Sequence, residues 1–128
     1  MTSNTKTKRG KELLLNSLKE KTKPLLKYVK NGIVDKPLIR KYMKVSDRGD
    51  KKYSVVTPMG KTIHWGSRLH EQFKDTGLGF YSKFDHLDVS RRAAYKARHK
   101  SIRLKKTGEY AYMSPEQPSF YSYWMLWN

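Results

Sequence analysis

A chain of 128 residues has room for one modest domain, and 28 Lys and Arg against 11 Asp and Glu give it a formal net charge of +17. The absence of Cys excludes disulfides, thiolate zinc sites and cysteine nucleophiles. With 3 Trp, 9 Tyr and 4 Phe the chain is too aromatic for a disordered basic tail, and no apolar run approaches the roughly 18–20 residues that cross a bilayer.

The charge is uneven: residues 1–52 carry +11, residues 53–90 are neutral and residues 91–128 carry +6. The start, MTSNTKTKRG, lacks the apolar core of a signal peptide, so synthesis in the cytosol is expected. Residues 1–9 read as a basic arm. From Lys11 a helical pattern places Leu14 and Leu18 on one face. Pro24 ends that helix or opens another, with Leu25, Leu26 and Val29 inward and Asn31-Gly32 as its C-cap. Residues 37–45 fit a helix or a strand, and the turn Ser46-Asp47-Arg48-Gly49-Asp50 that follows favours a strand. Its Arg-Gly-Asp tripeptide reads as ordinary turn chemistry.

Next comes a hairpin, KYSVVT-PMG-KTIHW. Pro58 suits the first central position of a type I turn, and Gly60 supplies the left-handed residue of a three-residue loop. Val55, Ile63 and Trp65 then face the core. Residues 68–75 read as a short helical piece, and Gly77 and Gly79 as a loop. A basic helix begins after Asp88, which serves as its cap, and runs until Gly108. It carries Arg91, Arg92, Lys96, Arg98, His99, Lys100, Arg103, Lys105 and Lys106 with no acid among them. Helical winding lines up Arg92, Lys96, His99 and Arg103, and leaves Ala93 and Ala97 on another side for close packing. A cationic rod of this kind binds a polyanion or an acidic protein surface. In the aromatic end, Ser119 is placed to cap a last helix with Phe120, Tyr123, Trp124 and Trp127 on one face, as core or as an anchor in a neighbour.

These elements predict an α+β fold: a small hairpin or sheet core packed by the basic helix, with an extended or helical basic arm. The boundary is set between an arm at 1–50 and a domain at 51–128. The histidines His64, His70, His86 and His99 lack the close spacing of metal ligands. A nuclease site gathering His64, His86, Asp85 and Asp88 is the only catalytic alternative they offer. Gly77-Leu78-Gly79 has no preceding strand or phosphate-loop lysine. No enzyme activity, cofactor or metal is expected.

Residues 50–128 resemble a family of small basic proteins encoded by large eukaryotic double-stranded DNA viruses. The resemblance rests on Tyr53-Ser54-Val55-Val56, Pro58, Gly60-Lys61-Thr62-Ile63-His64-Trp65-Gly66, Tyr81-Ser82, Asp85-His86, Arg91 through His99, Gly108, Ala111-Tyr112, Ser119-Phe120 and Leu126-Trp127. Ala94 stands where the pattern has Asn, and the stretch from Phe80 to Phe84 departs from its short loop. The resemblance implies a structural, non-enzymatic virion component. The expectation is a minor capsid protein lodged in the shell or on its inner face, made in the host cytoplasm and cementing other capsid proteins. The alternative is a core protein that packages DNA through the phosphate backbone without reading sequence. No membrane span is expected, and peripheral contact with an internal membrane stays open.

Overall fold

The structure is a computed structural model that describes residues 27–128. The arm at 1–9, the helix expected from Lys11, and Pro24, Leu25 and Leu26 lie outside the described residues. Within them the fold is α+β, as the sequence predicts. In order come strands β1 (Val29–Lys30) and β2 (Ile33–Val34), helix α1 (Lys36–Tyr42), and strands β3 (Met43–Val45), β4 (Lys51–Val56) and β5 (Thr62–Ser67). Helix α2 (Val89–Lys100) and helix α3 (Pro118–Leu126) follow, with single 3-10 turns at Ser82–Phe84 and Ala111–Met113.

Asn31-Gly32 is the turn of a two-residue hairpin and not a helix C-cap. Both residues have positive φ, 54° and 76°, and β1 pairs antiparallel with β2 across them. Residues 37–45, expected as a strand, divide. Asp35 caps α1 by accepting from the Leu38 N–H, Pro37 sits in the first turn, and the chain turns extended only at Met43.

The main sheet runs β3-β4-β5, antiparallel, with Val55 opposite Met43 and Ile63, and Tyr53 opposite Val45 and Trp65. Its 57–61 loop follows the turn chemistry: the Gly60 N–H donates to Thr57 O and Gly60 has φ 86°. The expected boundary at residue 50 falls between two strands paired in this one sheet. Tyr28, Ile39 and Met43 join the same core, so the folded body begins before residue 51.

That core is aromatic. Tyr53 packs on Trp65 with ring centres 5.2 Å apart, Trp65 stacks on Tyr121 at 5.8 Å, and Tyr28 meets Tyr121 edge-on. Two of the buried phenols are satisfied by main-chain oxygens: Tyr28 donates to Val56 O and Tyr121 to Pro115 O. The sheet is therefore covered by α3, which inserts Phe120, Tyr121, Met125 and Leu126. The basic helix, expected against the sheet, buries no residue and rests on the aromatic end instead. Gln117 precedes α3 without a side-chain cap and Pro118 opens it, so Ser119 is inside the helix.

Residues 68–75 are not helical. With residues 76–88 they form an irregular strap tied down by side chains. Tyr53 donates its hydroxyl to Asp75 at 2.5 Å, and Asp75 also accepts from the N–H groups of Gly77 and Tyr81. Asp85 accepts from Asp75 N–H and Gln72 Nε2, and Gln72 Oε1 accepts from the buried Lys52 ammonium at 2.5 Å. Gly77 passes so close to Met43 that an added Cβ would lie 2.8 Å from its methyl carbon.

Candidate functional site

Helix α2 starts where the sequence places it. Asp88 accepts from the N–H groups of Ser90 and Arg91, satisfying two donors that no helical carbonyl can reach. The helix ends at Lys100, well short of Gly108. Residues 101–110 turn back instead, Gly108 N–H bonding Leu104 O and Leu104 N–H bonding Glu109 O. Arg103 is thus off the helix, against the ring of Tyr110 with its guanidinium 4.2 Å from the ring centre.

Of the stripe expected to face a partner, Arg92, Lys96 and His99 lie against the protein, and Arg103 stays exposed. The Arg92 guanidinium lies 4.3 Å from the centre of the Phe73 ring. The Lys96 ammonium sits over Tyr123 and donates to Asn128 Oδ1 at 3.0 Å. His99 stacks on Tyr95 at 4.0 Å, Tyr95 lies flat on Trp127 at 4.2 Å, and Trp127 meets His86 at 5.1 Å. Burial lowers the pKa of Lys96, with Lys100 and Arg92 adding to the effect, and lowers that of His99, with Arg98 adding. Burial also pushes the Tyr95 phenol up to about 12.

What faces water is the rest. Arg91 is exposed but paired with Glu71 at 2.9 Å, whereas Arg98, Lys100, Lys105 and Lys106 are exposed and make no ion pair among the described residues. Ala93 and Ala97, expected to pack, are exposed as well. The aromatic anchor is internal. Phe120 and Tyr123 are fully buried, Trp124 donates its indole N–H to Tyr112 O, and Trp127 is half-buried in the Tyr95 stack. Phe120 and Tyr123 are therefore core, and the two indoles pack within the chain with part of each ring exposed.

Among the described residues no group of three or more His, Asp or Glu side chains is arranged to hold a metal ion. His64 bonds Ser46 Oγ, the His86 ring accepts the Asp88 N–H, and Asp85 serves the strap, so the nuclease constellation is not assembled. Nor is any helix among them long and apolar enough to cross a membrane.

Sequence reasoning missed the buried polar residues Lys52, Ser54 and Asp75 and the half-buried Asp85. No local pattern marked them, since Lys52 bonds Gln72 and Asp75 bonds Tyr53, each far along the chain. Residues 42–77, from the end of α1 through the sheet into the strap, match a family of unknown function (DUF5754). No curated protein matches the chain. No solved structure matches it either.

Proposed function

We propose that this protein is a non-enzymatic structural component that fastens acidic partners through its basic surface. In that reading it is a minor capsid protein cementing neighbours in the particle of a large double-stranded DNA virus. The observation that carries the acidic partner is where the carboxylates go. Residues 27–128 contain 21 Lys and Arg and 9 Asp and Glu. Five of those acids (Asp35, Asp75, Asp85, Asp88 and Glu116) accept backbone N–H groups. Among the described residues only Asp50 and Glu71 pair with an arginine. The acids build the fold, and the cations are left for something else. The virion setting rests on the resemblance in sequence.

The test is location. Purified particles are disrupted mildly, treated with nuclease, and the protein is followed through shell and core fractions. It is expected with the shell, and absence from particles overturns the proposal.

DNA binding is the second reading, favoured by the unpaired Arg98, Lys100, Lys105 and Lys106. It predicts release with the genome and affinity that falls steeply with salt as phosphate counterions are freed. Because Arg92 and Lys96 face inward, Arg98→Glu with Lys100→Glu is the charge reversal that tests it.

A further inference from the structure

We infer that the free edge of β3, with the groove beside it, receives an extended acidic segment of a partner protein. β3 is the outer strand of its sheet. The Ser46 N–H donates to Lys52 O, and Lys44 lies opposite Ser54. Antiparallel alternation then turns the main-chain groups of Met43 and Val45 away from β4, toward an edge where no fourth strand lies among the described residues.

Beside this edge is a groove of about 360 Å³ whose lining includes Lys41, Tyr42, Lys44, Ser54, Val56 and Thr62. The register puts Lys44, Ser54, Val56 and Thr62 on one sheet face. Ser54 is 0% exposed, yet its hydroxyl has no hydrogen-bond partner among the described residues. A buried hydroxyl without a partner is costly, and it leaves the floor of the groove polar beneath the rim. Lys41 and Lys44 are exposed at the rim with no carboxylate in ion-pairing distance among the described residues.

Each feature asks for a different part of one occupant. The cations take an Asp or Glu side chain, the strand edge takes a peptide backbone, and Val45, partly exposed on the other face of β3, takes an apolar neighbour. A nucleic acid would use the lysines alone. The chain's own residues 1–26 carry 7 Lys and Arg against 2 Glu, which sets charge against their occupying the groove. The inference does not rest on α2, since substitutions here leave every cation of that helix in place.

The test is a titration of the isotope-labelled full chain, followed by amide resonances. The probes are the peptide acetyl-Thr-Val-Asp-Val-Thr-amide, its Asn counterpart, and inorganic phosphate. The Asp peptide is expected to move the amides of Met43, Lys44, Val45 and Ser54. Lys44→Glu and the Asn peptide should each weaken binding at least about tenfold, a loss typical of a charged hydrogen-bonded pair. Lys44 is exposed, so Lys44→Glu should leave the melting temperature nearly unchanged, which separates lost binding from lost fold. Shifts confined to other residues, or equal binding of the two peptides, would overturn the inference. So would phosphate reproducing the whole effect, because an oxyanion site needs no strand.

Discussion

Asp75 sits with only 7% of its surface exposed, and its companion is a phenol rather than a cation. Burial and this hydrogen bond raise the Tyr53 pKa, so the proton stays on the phenol. The same oxygen of Tyr53 accepts the Phe80 N–H. Tyr53→Phe therefore leaves a donor and a charged acceptor short at once, and about 1–3 kcal/mol of stability should be lost in urea titrations. His99 gives a second test at this scale. Its folded pKa is lowered below 6.5, so the unfolded chain binds the proton first as pH falls. Stability from this residue is present above pH 6.5 and is lost below it. Melting temperatures measured down to pH 5 should fall less steeply for His99→Phe than for the parent.

Among the elements, those governed by neighbouring residues were legible. The β4–β5 hairpin follows from Pro58 and Gly60, and the start of α2 from Asp88, because turn and cap chemistry act within a few residues. Asp88→Ala should cost about 1 kcal/mol and raise hydrogen exchange at Ser90 and Arg91, with Asp88→Asn retaining most of the cap. Where partners lie far along the chain, the sequence misled. The strap looked helical at 68–75, but its main-chain groups are claimed at a distance, Lys74 by Leu126 and Thr76 by Met125. Of the cationic stripe, Arg92, Lys96 and His99 share one helix face, and Arg103 lies beyond the helix end. The direction of that face was not legible, because Phe73, Tyr123 and Trp127 that draw it inward come from other elements. At Asn31-Gly32 the hairpin signal was local and plain, and the leucines before it drew the reading toward a helix.

Across the whole molecule, five of the nine tyrosines keep their protons inside the fold. Tyr28, Tyr53, Tyr95, Tyr121 and Tyr123 all have raised pKa values, with burial the first cause in each. Above pH 10 the unfolded chain loses these protons while the folded one keeps them, so their contribution is full below pH 10 and declines as pH rises through it. Lys36, Lys52 and Lys96, lowered by burial, act oppositely and favour the fold increasingly as pH climbs toward 10.5. Stability should therefore peak on the alkaline side of neutrality and fall sharply between about pH 10 and 12, read from denaturant midpoints. Tyr95→Phe should soften the fall.

The strap has one more consequence, for the order of events in folding. Its ties join residues as far apart as Lys52 and Gln72, or Tyr53 and Asp75, and they need β4 already in place to receive them. The hairpin closes over a five-residue loop and can form early, while the strap must wait for a surface to land on. Its contacts should then be absent from the transition state. Asp85→Ala is expected to speed unfolding in stopped-flow experiments and to leave the refolding limb nearly unmoved.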